Sequence, residues 1–136
     1  MGRLAFYFGV HQLCVMNREV GKTIAQHVGN LGEKMAAEWL WLKGFDIVEQ
    51  NCRVGRYEID LVCKDRSEWV MVEVKTRRDG HCPLPESAVD HKKRISLQKA
   101  AQGYMKQKGV KTIPRLDVVA VSLLPHGAQM MYFQGK

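Results

Sequence analysis

The run Glu68-Trp69-Val70-Met71-Val72-Glu73-Val74-Lys75-Thr76-Arg77 constrains this chain more than any other segment. A strand sends successive side chains to opposite faces, so Val70, Val72 and Val74 line one side and Trp69, Met71, Glu73, Lys75 and Arg77 the other. Apolar residues on both sides mark a central strand, because a sheet edge or a one-sided sheet would leave half of them in water. Something must cover both faces of such a strand.

The neighbouring segments supply the cover. From Thr23 the apolar residues Ile24, Val28, Leu31, Met35, Trp39 and Leu42 recur every three or four positions, the signature of one buried helix face. Gly29 and Gly32 weaken its first turns, which predicts a helix beginning near Asn30 and stopping at Gly44. Strands are expected over Phe45 to Arg53 and Tyr57 to Lys64, joined by a turn at Gly55-Arg56, with Asp65-Arg66-Ser67 turning the chain into the central strand. After a loop containing Pro83 and Pro85, Ser87 to Asp90 has the spacing of a helix capping box. A helix of roughly five turns should follow and end at Gly109. In it Lys92, Lys93, Arg94 and Lys99 read as a polar face, while Ile95, Ala100, Ala101 and Tyr104 pack inward. Leu116 to Leu124 and Gln129 to Phe133 complete the strands. The order αβββαββ implies an α/β fold, a central mixed β-sheet flanked by helices.

A chain of 136 residues with 46% hydrophobic content suits one domain, expected over 22–136. Residues 1–21 read as an N-terminal extension, poorly ordered or packed on the domain. Their apolar run lacks an A-x-A-like cleavage site and is too short to span a bilayer, so neither export nor a membrane partner is expected. Cys14, Cys52, Cys63 and Cys82 are dispersed without a C-x-x-C pair, which suggests reduced thiols and a cytoplasmic protein. His81 and Cys82 have no matching second pair and read as loop residues. The terminal Tyr132-Phe133-Gln134-Gly135-Lys136 resembles a protease-tag remnant, and it also extends a plausible strand.

Formal net charge is +7, and its placement matters more than its size. Residues 75–115 hold 11 Lys/Arg against 3 Asp/Glu, whereas the remainder is close to neutral. A basic segment of this kind suits a polyanion such as nucleic acid, since each phosphate contact releases condensed counterions. A solvated helix face is the plainer alternative.

Chemistry enters with Glu58-Ile59-Asp60 and Glu73-Val74-Lys75. If their strands pair as a hairpin about Asp65-Arg66-Ser67, Asp60 and Glu73 fall at corresponding heights and can share one cation. Clustered carboxylates repel one another unless a cation offsets them, and hard oxygen ligands suit Mg2+, with Mn2+ as substitute. Such an ion lowers the pKa of a coordinated water and stabilises charge on a scissile phosphate. Asp60 and Glu73 are the expected ligands, and Lys75 the residue that orients the attacking water or offsets transition-state charge. Glu33 on the first helix is a third metal candidate, binding a second ion or holding a metal water, if that helix packs beside the strand edge. Glu58 is either a further acid of the site or half of a surface ion pair. Taken singly, either motif also occurs in solvated strands.

Six ordered matches make the stretch from Gly29 to Val121 resemble the YraN family of uncharacterised proteins, related to Holliday junction resolvases. They are Gly29-x-x-Gly32-Glu33, Gly44-Phe45, Glu58-Ile59-Asp60-Leu61, Val72 to Arg77, Ala88-Val89-Asp90-x-x-Lys93 and Arg115-x-Asp117-Val118-Val119. The resemblance implies the restriction-endonuclease-like PD-(D/E)XK fold, with Asp60, Glu73 and Lys75 as its core and Glu33 as the helix acid. It departs at Tyr57, Leu116 and His81-Cys82, where the family usually has Gly, Phe and Phe-Gly. The implied activity is metal-dependent endonucleolytic hydrolysis of DNA, branched or structured DNA included. Phosphates are expected at Arg77, Arg78, Lys92, Lys93 and Arg94. A homodimer stays open, and so do a non-catalytic nucleic-acid-binding adaptor and a structural partner protein docking through its basic helix.

Overall fold

The computed structural model describes residues 23–78 and 91–135. Helix α1 (Ile24–Leu42) precedes strands β1 (Asp46–Val54), β2 (Tyr57–Asp65) and β3 (Glu68–Arg77). Helix α2 (His91–Gln107), β4 (Arg115–Leu124) and β5 (Gly127–Phe133) follow. The expected order is therefore observed, in a five-stranded mixed sheet of spatial order β1-β2-β3-β4-β5. Among the described residues only β3 and β4 run parallel; the other pairs are antiparallel. That parallel step requires a crossover, and α2 lies within it.

Each face of β3 packs where its sequence requires. Val70, Val72 and Val74 join Leu31, Met35, Trp39 and Leu40 of α1 in one core. Met71 and Trp69 join Leu97, Ala100, Ala101 and Tyr104 of α2 in the other. Each fully buried aliphatic side chain contributes about 1.5–3 kcal/mol of transfer free energy, so the two layers together hold the sheet between its helices. Among the described residues no helix is long and apolar enough to cross a membrane.

Three local expectations are corrected. Helix α1 begins at Ile24, not near Asn30, because Thr23 and Gln26 form a capping box: the Thr23 side chain accepts from the Gln26 N–H and the Gln26 side chain from the Thr23 N–H. These two bonds satisfy donors that the glycines farther along cannot affect. The ends of the apolar stripe, Ile24 and Leu42, are exposed. Ile95 is also exposed, and Leu97 takes the inward position in its place. The capping box at Ser87 to Asp90, the loop prolines and residues 1–21 lie outside the described residues.

At the far end of the sheet Arg115 gathers the turn between β2 and β3. Its guanidinium donates to Asp117 (3.0 Å), to Glu68 (2.7 Å) and to Asp65 (3.2 Å). Asp117, fully buried, also accepts from the Tyr132 hydroxyl and the Gly135 N–H. This network ties β4 to the hairpin and to β5, and pins the parallel register Val70↔Arg115.

Candidate functional site

The β2–β3 ladder runs from Asp65↔Glu68 to Leu61↔Val72. The next residues in that register are Asp60 and Glu73, and here the strands part. Instead of a further cross-strand backbone bond, the Val74 N–H donates to Asp60 Oδ2 at 2.8 Å. Strand β3 continues beside β4 as far as Arg77↔Ser122, so Glu73 to Arg77 border a fork between β2 and β3.

The fork has a local origin. Asn51 of β1 lies between the pairs Gln50↔Leu61 and Cys52↔Ile59, level with Asp60, and has φ +51°. A residue in the left-handed region breaks the strict alternation of a strand, and Asn tolerates that region better than most residues. Alternation slips in both strands at this level. Ile59 and Val62, three apart, lie together in the α2-side core, while Leu61 and Cys63 lie in the α1-side core. In β1, Glu49 and Cys52 both face α2, where Glu49 accepts from the Tyr104 hydroxyl at 3.2 Å.

Both helices reach the fork. A Cβ built on Gly32 would lie 1.8 Å from Thr76 Oγ1, so only glycine allows α1 so close to β3. That approach brings in Glu33, half-buried and hydrogen-bonded through its side chain to Asn51. Burial raises its pKa, Glu58 and Glu73 add to the rise, and the bond to Asn51 opposes it. On the other side the buried stripe of α2, Leu97, Ala100, Ala101 and Tyr104, continues one turn back to Lys93. Lys93 is thereby aimed at the sheet, and its Nζ lies 3.3 Å from Glu73 Oε1.

Asp60 is 9% exposed and Glu73 2%. Burial, then the charge of Glu73 and more weakly that of Glu33, pushes the Asp60 carboxyl up to about 7, against the bond from Val74. Glu73 Oε1 faces Lys93 and also Lys75, whose Nζ is 3.5 Å away. Its Oε2 is buried with no hydrogen-bond partner among the described residues. Burial works against the charge on Lys93, yet Glu73, Asp60 and Glu58 more than offset it and hold its pKa above the usual lysine value.

The expected residues are therefore not placed alike. Asp60, Glu73 and Lys75 meet at the fork, and Glu33 is within electrostatic reach of Asp60. No three Asp, Glu, His or Cys side chains among the described residues form a ready-made metal cage. Lys75 and Lys93 both sit on Glu73 Oε1, where positive charge offsets part of the repulsion between the carboxylates. Glu58 pairs with Arg53 at 3.7 Å, and its charge also acts on Glu33 and Lys93 at the fork. Arg77, Arg78, Lys92 and Arg94 are exposed, whereas Lys93 turns inward, away from the polar face assigned to it. Sequence reasoning missed Asn51 and the inward aim of Lys93. The first could have been suspected from an Asn within a strand, the second from its spacing to Leu97.

The donor set fits a hard divalent cation. Asp60 and Glu73 offer carboxylate oxygens, one of them buried without a hydrogen-bond partner among the described residues, and despite the two lysines burial and the charge of Glu73 still raise the Asp60 carboxyl. Cys52 and Cys63 are free thiols away from this donor set.

Fold and site together define a mixed α/β domain whose sheet opens into an acidic fork flanked by lysines. The chain belongs to the uncharacterised protein family UPF0102, the YraN family, whose model matches residues 32–121. A UPF0102 protein of Caldanaerobacter subterraneus is 43% identical over 72% of this chain and 81% of its own length. One from Syntrophus aciditrophicus is 42% identical over 75% and 81%. A third, from Lawsonia intracellularis, is 42% identical over 69% and 72%. Among solved structures, Pyrococcus furiosus SfsA in complex with Ca2+ aligns over 98% of this chain and 77% of that one. Its sequence identity is 16% and its TM-score 0.35, too remote a likeness to support any argument.

Proposed function

We propose that this chain is a metal-dependent endonuclease of the restriction-endonuclease-like class that hydrolyses DNA phosphodiesters, branched or structured DNA among them. One observation carries the reading: Asp60 and Glu73 face each other, buried, where β2 leaves β3, with Lys75 two residues on. In this reading Asp60 and Glu73 hold Mg2+ or Mn2+, and Glu33 supports the site from α1. The bound ion supplies Lewis acidity and a more acidic water. Lys75 orients the attacking water and offsets charge on the scissile phosphate with a compact ammonium on a flexible stem. Arg77, Arg78, Lys92 and Arg94 hold the phosphate backbone, reading shape in preference to base sequence.

The basic start of α2 supports a phosphate partner. Lys92, Lys93 and Arg94 stand together in the first described turn of α2, which has no acidic residue, and phosphates beside Lys92 and Arg94 would offset their mutual repulsion. Cleavage of plasmid, linear and four-way-junction DNA with Mg2+ or Mn2+ tests the proposal. Absence of any metal-dependent product that Glu73→Ala abolishes would refute it.

A second reading is favoured by the lysines already seated on Glu73. They could neutralise it permanently, leaving a non-catalytic nucleic-acid-binding adaptor. Calorimetric titration separates the two, since an adaptor binds DNA with steep salt dependence while metal supports no cutting.

A further inference from the structure

We infer that Lys93 is the resident counter-ion of the fork, holding Glu73 until a divalent cation takes its place. The inference rests on the reading of Asp60 and Glu73 as cation ligands. It concerns a residue of α2 that faces the site from the wall opposite α1. Two lysines share Glu73 Oε1, and they differ in how they are held. Lys75 stands on the same strand two residues on, and its side chain is 31% exposed. Lys93 reaches in from α2 with a side chain 43% exposed, while the Glu73 side chain is only 3% exposed. The carboxylate is enclosed, whereas the Lys93 side chain is partly open to solvent.

A buried carboxylate left alone is strongly unfavourable, so Lys93 stabilises the fork when no other cation is present. The lysines sit on Oε1, and Oε2, unpartnered among the described residues, belongs to the same carboxylate, so an ion bound at Oε2 meets the Lys93 ammonium at close range. Binding an ion there must therefore work against the Lys93–Glu73 pair. Once displaced, the ammonium remains tethered beside the fork, where it can meet the negative charge of a phosphodiester.

The test is a calorimetric titration of Mn2+ into the full chain, comparing wild type with Lys93→Met, Lys93→Arg and Lys92→Met. Removal of the competing ammonium should tighten Mn2+ binding about tenfold in Lys93→Met, as expected for loss of one close charge in a partly buried site. Lys93→Arg should stay near wild type. Lys92→Met, which deletes the same charge one residue away on an exposed face, should change affinity less than twofold. Unchanged or weaker Mn2+ binding in Lys93→Met overturns the inference, even if the wild type cuts DNA and the proposed function stands. Tighter binding without any cleavage upholds the counter-ion and removes the nuclease. Should neither wild type nor Lys93→Met bind Mn2+, both fall.

Discussion

Replacing Gly32 by alanine places a methyl carbon 1.8 Å from Thr76 Oγ1 and 2.8 Å from both Thr76 Cβ and Cγ2. Rotating the threonine side chain can clear its oxygen. It cannot move Cβ, so α1 has to shift away from β3. Overpacking of this kind costs about 1–3 kcal/mol, whereas alanine in a helix interior gains about 1 kcal/mol over glycine. Sterics should win, leaving Gly32→Ala less stable by up to about 2 kcal/mol. Gly29, one turn earlier on the same helix, has nothing among the described residues within 4 Å of a built Cβ. Gly29→Ala should therefore stabilise by up to about 1 kcal/mol. Urea denaturation midpoints for both variants measure the pair, and opposite signs are expected. Adding Thr76→Ala to Gly32→Ala removes Oγ1 and Cγ2, and should recover about 1 kcal/mol in a double-mutant cycle. If Gly32→Ala stabilises as much as Gly29→Ala, the close approach that brings Glu33 to the fork is wrong.

Other consequences are equally direct. Asp60 sits near 7 in the folded, metal-free protein against an ordinary 3.8, so the native state keeps a proton that the unfolded chain releases. Stability should then fall as pH rises from about 4 to about 7, by on the order of 4 kcal/mol, and urea midpoints across that range should flatten in Asp60→Asn. Lys75→Met should abolish turnover without weakening Mn2+ binding, and unchanged turnover would remove Lys75 from the mechanism. Arg115→Met should destabilise by about 3–5 kcal/mol because Asp117 stays buried without its cation, whereas Glu68→Gln, at the exposed rim of the same network, should cost under about 1 kcal/mol in the same assay.

Much of the fold was legible because local pattern and global packing agree. Valines on one side of Glu68–Arg77 and Trp69 and Met71 on the other demanded two covering layers, and α1 and α2 provide them. The separation of Asp60 from Glu73 about a tight hairpin was enough to set them opposite each other. Helix ends were read less well. Two glycines argued against the first turns of α1, and the capping box at Thr23 outweighed them. Lys93 was grouped with its basic neighbours because charge suggests solvent, yet its position one turn before Leu97 aims it inward.

By itself the order of residues determined the succession of elements, the two-sided burial of β3 and the pairing height of the two acids, since each depends on spacing along a regular backbone. What only the tertiary structure decided is the fork. The left-handed Asn51, the slip of β1 and β2 beside Asp60, and the arrival of Glu33 and Lys93 from opposite faces depend on contacts between segments far apart in the chain. Periodicity tells a side chain which face it takes. It does not tell where two strands separate, or which charge from across the sheet meets the carboxylate left there.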